Sequence, residues 1–216
     1  MIRALVFDFD GLILDTELSL IDAYEAVHAD HGVAFDRDRL RRHVGHADYA
    51  FDPWHAFAPG ADRVALETER RRRNRERDHL LPILPGVVAM LDAARAAGLR
   101  LGVASNSSRG HVAGHLGRLN LLDRFEFLAC REDAASPKPE PDLYRLVLNR
   151  FGLAGHAAIA FEDSHTGALA ARRANLWTVA VPNASTADHD FSHANLVVRT
   201  MAEAKLEDLM AKFGGA

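Results

Sequence analysis

Residues 2–11 read IRALVFDFDG, an apolar run interrupted only by Arg3 that ends in two aspartates two positions apart. A strand buried on both faces needs such a run, because neither face can alternate with polar residues. Side chains alternate along extended chain, so Asp8 and Asp10 would share one side and Phe7 and Phe9 the other, with about 6.5 Å between the two aspartate Cα atoms. Four further runs follow: LRLGVA at 99–104, EFLA at 126–129, AAIAF at 157–161 and LWTVAV at 176–181. Each precedes a helix-length amphipathic segment, and strand–helix repetition of this kind specifies parallel βα units. The expected class is α/β, with a doubly wound, Rossmann-like parallel sheet.

The interval 15–82 breaks the rhythm. It holds the helical patterns ELSLIDAYEAVHADHG and DRVALETERRRRNRERDHL and no strand-like run, and PILPG at 82–86 would stop a helix and fix a connector. The expected organisation is an α/β core from 1–14 and 83–216, with a small helical domain at 15–82 inserted after the first strand and hinged near 13–16 and 81–86.

Composition narrows the function classes. The chain has 216 residues, 48% of them hydrophobic, enough for a sizeable core. With 26 basic against 30 acidic residues and a net charge of −4, it lacks a general electrostatic hold on nucleic acid or an anionic membrane, so an anion would have to be bound locally. The single cysteine, Cys130, excludes an internal disulfide framework. Asp8 interrupts the first apolar run too early for a signal peptide, and no run reaches membrane-spanning length. A soluble, cytoplasmic protein is expected, with oligomeric state open.

Four strand ends carry polar chemistry. Ligands of open α/β sheets bind beyond the carboxyl ends of the strands, where Asp8 and Asp10 fall; a turn cap at Gly11 would explain only one of them. VASNSSRG at 103–110 puts Ser105, Asn106, Ser107 and Ser108 at a strand-to-helix junction, either as an anion site of hydroxyls and free N–H groups or as ordinary helix caps. In SPKPEPD at 136–142, Lys138 stands between two prolines that restrict the backbone. Only three lysines occur in a chain otherwise supplied with arginine, so a held lysine points to a compact charge for a phosphate or carboxylate oxygen. AAIAF runs into Glu162-Asp163-Ser164, where two acids at a buried strand end would repel each other unless a cation lay beside them; Mg²⁺ is the economical choice, and Ser164 would cap the next helix.

The DFDG motif, the Ser105 strand end, Lys138 and the Glu162-Asp163-Ser164 step, in this order over nearly the whole chain, resemble the haloacid dehalogenase superfamily. Within it, the helical-cap branch of β-phosphoglucomutase-like phosphatases is the nearest likeness. The resemblance implies that Asp8 is the nucleophile and forms an aspartyl-phosphate, and that Asp10 is general acid and then base. It also implies that Ser105 and Lys138 hold the phosphoryl oxygens, and that Asp8, Asp10 through its backbone carbonyl, and Asp163, supported by Glu162, hold Mg²⁺. Asn106 and Thr16 join the substrate contacts. On this reading Asp8 is ionised while Asp10 begins protonated.

Departures from the family's patterns narrow the reaction. Asp10 disfavours dehalogenation, since halide needs no proton. No lysine lies between 15 and 82 to form a Schiff base, which excludes phosphonate cleavage by that route. The β-phosphoglucomutases place a histidine where this chain has Leu20, and basic residues where it has Val44 and Asp48, unless His43 or His46 stands in. A phosphatase acting on a small phosphomonoester, a sugar phosphate or similar metabolite, is therefore expected. A sugar-phosphate mutase is the alternative, and a phosphate-binding regulator without turnover a further one. In the loop HVGHADYAFDPWHAF at 43–57, His46, Tyr49 and Trp54 are candidate substrate contacts, although the aromatics could equally pack the small domain's core.

Other features read as structural. RRRRNRER at 70–77, with Glu67, Glu69 and Glu76 nearby, is expected to be a solvated, ion-paired helix face. His111 and His115 have zinc-like spacing but no evident third ligand and are expected at the surface. His165 follows the acidic pair, and an approach to the site is left open.

Overall fold

The structure, a computed structural model, describes residues 1–43 and 52–215. Six parallel strands form one sheet in the order β3-β2-β1-β4-β5-β6: β1 (Ala4–Phe7), β2 (Arg100–Ala104), β3 (Phe127–Ala129), β4 (Ala158–Glu162), β5 (Trp177–Ala180) and β6 (Leu196–Val197). Five of them lie on the apolar runs expected to form strands. The two-residue β6 was not anticipated; it is too short to carry a periodic signal and takes its conformation from pairing with β5.

The alternation of side chains along the strands separates two kinds of packing. Leu5, Phe7, Leu101, Val103, Ile159 and Phe161 meet α4 (Val87–Ala96), α5 (Arg109–Arg118) and α8 (Leu206–Gly214), with the Phe7 and Phe161 rings stacked at 5.1 Å. The opposite face presents Ala4, Val6, Ala104, Ala158 and Ala160 to α6 (Asp142–Phe151) and α7 (His165–Arg173). Small strand residues let these two helices lie close to the sheet, and α6 brings the Tyr144 hydroxyl to Glu162 at the sheet's carboxyl edge. Ser164 caps α7 as expected, its hydroxyl accepting from the Gly167 N–H at 3.2 Å.

Register decides what stands together. Phe7 is level with Phe161 on β4 and with Val103 on β2, and the Asp8 N–H donates to the Phe161 carbonyl at 3.0 Å. Asp8 therefore leaves the sheet abreast of Glu162, and the Ser105 segment leaves beside it.

Between β1 and β2 run α1 (Thr16–Asp30), α2 (Arg37–Arg41) and α3 (Arg63–Asp78), started by the side chains of Asp15, Asp36 and Asp62 as N-caps. No strand occurs among the described residues of 15–82. The Leu84 N–H donates to the Ile13 carbonyl at 2.9 Å, joining the outgoing and returning connections. Trp54 is 5% exposed and packs with Tyr24, His28 and Phe57. It is a core residue of the helical layer and does not reach the substrate side, contrary to one of the two expectations for that loop; burying the indole is its most favourable use. His46 and Tyr49, with Val44 and Asp48, lie outside the described residues. No helix among the described residues is long and apolar enough to cross a membrane.

Cys130, just past β3, is buried, and burial pushes its thiol up to about 11. A raised value leaves only about one thiolate in a thousand near pH 8. Alkylation by iodoacetamide should accordingly be very slow in the native protein and rise sharply in denaturant; equal rates in both conditions would mean that the end of β3 opens freely.

Candidate active site

Lys138 occupies the centre of the site. Only 3% exposed, its Nζ donates to Asp8 Oδ1 at 2.8 Å and to Glu162 Oε1 at 2.5 Å, and the Tyr144 hydroxyl from α6 donates to the same Glu162 oxygen. The loop is fixed from across the cleft: the Lys138 N–H donates to Asn106 Oδ1 at 2.9 Å, and the Asn106 amide faces the Lys138 carbonyl at 3.5 Å. Asn106, expected as a substrate contact, thus has its side chain engaged in holding Lys138, although it still lines the cleft.

On the other side of Asp8, the Asp10 carboxylate collects donors. Thr16 Oγ1 donates to Oδ1 at 2.6 Å and Ser107 Oγ to Oδ2 at 2.6 Å, with Ser105 Oγ farther away at 3.4 Å. His111 Nε2 approaches Asp10 Oδ1 at 2.8 Å. His111 was expected to be a surface residue; the start of α5, capped by Ser108, instead turns it into the site. Burial alone would raise the Asp10 pKa, but the His111 charge and the hydrogen bonds from His111, Ser107 and Thr16 outweigh it and hold the carboxyl below its usual range. Burial lowers His111, and Asp10 more than reverses this, so the imidazole is raised. Asp10 is thus held toward its ionised form and His111 toward its charged one, against the expectation of a protonated Asp10.

Asp8, Glu162 and Asp163 each offer an oxygen, and these lie within 4.8 Å of one another, a set able to hold a metal ion. The Asp10 carboxylate is turned toward Thr16, Ser107 and His111, which leaves only its backbone carbonyl for the metal role expected of Asp10. Asn183, which no sequence signal marked, donates through one amide nitrogen to Asp163 Oδ2 at 2.8 Å and to the Gly11 carbonyl at 3.0 Å. Gly11 has φ of +75°, and a Cβ there would stand 2.2 Å from Asp163 Oδ2, so no larger residue fits the turn. Gly167 is similarly required, since its Cβ would stand 1.9 Å from Glu162 Oε2.

The acids outnumber their partner. Burial raises Asp8, Asp163 and Glu162, the last to about 7; Lys138 opposes this in each, while neighbouring carboxylates add to it. Glu17 on α1 is raised well above its usual value by burial and by Asp10 and Asp8, and its Oε2 is buried without a hydrogen-bond partner, as is Glu162 Oε2. Orphaned oxygens and mutual repulsion around one lysine make a donor set that fits a hard divalent cation.

The cleft over these residues has a volume of about 680 Å³. Its floor is the carboxyl edge of the sheet, and its far wall carries Arg70, Arg71, Asn74, Arg75 and Asp78 of α3. The arginine run does form the expected ion pairs, Arg71–Glu67 at 2.8 Å, Arg72–Glu76 at 2.7 Å and Arg73–Glu69 at 2.7 Å. Yet one stripe of it also faces the site, and Arg75 makes no ion pair among the described residues, a role that a purely solvated face would not have. Leu20 lines the cleft as well.

A family model described as haloacid dehalogenase-like hydrolase matches residues 5–181. The chain belongs to this family. It is 36% identical over 214 residues to YhcW of Bacillus subtilis and 31% identical over 216 residues to hexitol phosphatase B of Escherichia coli O157:H7, each match covering 97% of both chains. The crystal structure of a CbbY variant from Rhodobacter sphaeroides in complex with xylulose-1,5-bisphosphate superposes with a TM-score of 0.76 at 27% identity, covering 94% of this chain and 96% of that one. The chain is thus a phosphatase of the haloacid dehalogenase type, a phosphoric monoester hydrolase.

The Tyr144 hydroxyl gives Glu162 a charge-assisted hydrogen bond in a dry environment. Tyr144→Phe should lower stability by about 1.5–3 kcal/mol in urea unfolding without magnesium; an unchanged midpoint would mean that the hydroxyl does not support Glu162.

Proposed function

We propose that this chain is a Mg²⁺-dependent phosphatase that hydrolyses a small phosphorylated carbohydrate through an aspartyl-phosphate on Asp8. The observation that carries the reading is the placement of Asp8 between a buried lysine with acids on one side and a hydrogen-bonded Asp10 on the other, at the floor of a cleft. Asp8, Asp163 and the Asp10 backbone carbonyl would hold the ion, with Glu162 in support through Lys138. Bound there, Mg²⁺ would neutralise charge on the phosphoryl oxygens.

An Asp8 oxygen attacks phosphorus in line with the ester oxygen, while Lys138 and Ser105 hold the phosphoryl oxygens. The P–O ester bond breaks, and its oxygen takes a proton from the Asp10–His111 pair, which holds one between the two groups. Water then attacks the aspartyl-phosphate, Asp10 receives its proton, and phosphate leaves with Asp8 restored. Water as acceptor accords with Leu20, which offers an incoming sugar hydroxyl no base. We assign residues 15–82 as a cap domain over a core of 1–14 and 83–216, because α3 supplies the far wall of the cleft. Arg75, Asn74 and Asp78 match the hydroxyls and negative charge of a sugar phosphate, the class acted on by hexitol phosphatase B and bound by the CbbY variant.

Phosphate release should be measured over a panel of sugar mono- and bisphosphates with and without magnesium. Turnover should require the ion and vanish in Asp8→Asn with the fold retained; magnesium-independent turnover, or near-native activity of that variant, would overturn the reading. His111→Phe should lower kcat about 100-fold with little change in KM, the scale of a lost proton-transfer partner; a rise in KM alone would make His111 a binding residue.

A further inference from the structure

Away from the carboxylate cluster, the connection from β5 to β6 folds over the first residue of α7. There, one ring nitrogen each of His165 and His193 and a carboxylate oxygen of Asp190 lie within 4.8 Å of one another. The imidazoles are set edge to face, with centroids 4.7 Å apart.

Hydrogen bonding decides which ring nitrogens are open. His165 Nδ1 lies 2.7 Å from the Asp190 carbonyl, and His193 Nε2 lies 3.2 Å from the His165 carbonyl. A carbonyl oxygen only accepts, so each of these nitrogens carries the hydrogen, leaving lone pairs on His165 Nε2 and His193 Nδ1. An imidazole steadied through one nitrogen by a backbone carbonyl, with the other left basic, is the usual state of a metal-binding histidine. The Asp190 carboxylate is steadied too, accepting from the Ser192 N–H at 2.8 Å and the Ser192 hydroxyl at 3.1 Å. His189 differs: its Nδ1 accepts the His165 N–H at 3.3 Å, so its lone pair serves the first turn of α7.

We propose that His165, Asp190 and His193 form a second metal site, one for a borderline transition ion of the Zn²⁺ type. Two imidazoles and one carboxylate suit Zn²⁺, Co²⁺ or Ni²⁺ far better than Mg²⁺, which prefers oxygen. Tetrahedral bonds of about 2.0–2.1 Å require donors about 3.3 Å apart, inside the 4.8 Å within which ligand atoms of the three residues already lie. All three residues are at least partly exposed, so an ion has access and water can complete its coordination. The ion would staple the β5–β6 connection to the start of α7, two residues from Asp163. The same connection carries Asn183, so the staple would brace the loop that positions Asp163.

The full-length protein, held in excess Mg²⁺, should be titrated with Zn²⁺ by calorimetry and with Co²⁺ by its visible absorption. One Zn²⁺ should bind despite the magnesium, and Co²⁺ should develop the intense bands of a low-coordinate site. His193→Ala and, separately, Asp190→Asn should each weaken binding about tenfold or more, since losing a ligand costs at least as much as losing the group that orients one. Circular dichroism should show both variants folded. His189→Ala, His115→Ala and Asp8→Asn should bind like the parent. Absence of binding, indifference to both ligand variants, or loss of binding in Asp8→Asn or His115→Ala would overturn the proposal.

Discussion

Lys138 is buried between Asp8 and Glu162, and most of the functional edge depends on that placement. A dry ammonium is tolerated only where carboxylates lie within hydrogen-bond reach, and removing one partner of such a group leaves an uncompensated charge. Burial would lower the Lys138 pKa, but Asp8 and Glu162 raise it instead, so the lysine is charged at every physiological pH. The two acids can meet one lysine because β1 and β4 are adjacent, parallel and level at Phe7 and Phe161. A one-residue slip would turn one of them to the opposite face.

The same constraint separates the two aspartates of the first motif. Asp8 continues the strand and faces Lys138, whereas Asp10 lies beyond the strand and is met by donors from α1, the Ser107 turn and α5. The alternation of side chains along β1 is enough to predict two carboxylates serving one site. It cannot predict their partners, because extended geometry ends at Asp8 and the turn at Gly11 redirects the chain beyond it. A protonated Asp10 is what the chemistry of a leaving group asks for; the nearby imidazole instead favours the ionised carboxylate.

Legibility in the sequence tracked the range of the interactions. Apolar runs report local burial, and they placed five strands. Ser105, Lys138, Glu162 and Asp163 were visible because strand ends and proline-flanked loops mark themselves locally. His111 and Asn183 were not, since His111 matters through Asp10, a hundred and one residues away, and Asn183 through Asp163 and the distant Gly11 carbonyl. A signal for His111 did exist: it sits in the first turn of the helix after the Ser105 strand end, and such turns face the carboxyl edge of the sheet. The arginine run held a similar signal. Ion pairs at i,i+4 explained its solvated side, but positions 70, 71, 74, 75 and 78 also form one helical stripe, polar where a core helix would be apolar. A stripe of that kind has to face a cleft or solvent. Trp54 shows the converse, an aromatic near a candidate loop whose best use was burial.

The polarity of the cleft bears on what kind of protein this is. A receptor that only bound phosphate would line its floor with donors and cations, as helix N-termini and arginine forks do. This floor holds Asp8, Asp10, Glu17, Glu162 and Asp163 around a single lysine, while the arginines stand on the opposite wall. Such a floor repels a phosphate dianion unless a cation stands between them, and the acids that make it repulsive are those the proposed chemistry uses. The energy stored in their crowding is recovered only when a cation and a phosphoryl group arrive together, a condition that suits turnover better than storage. With the arginines on the opposite wall, the charge of the protein alone would draw a phosphate dianion away from Asp8, and a cation on the floor would reverse that preference.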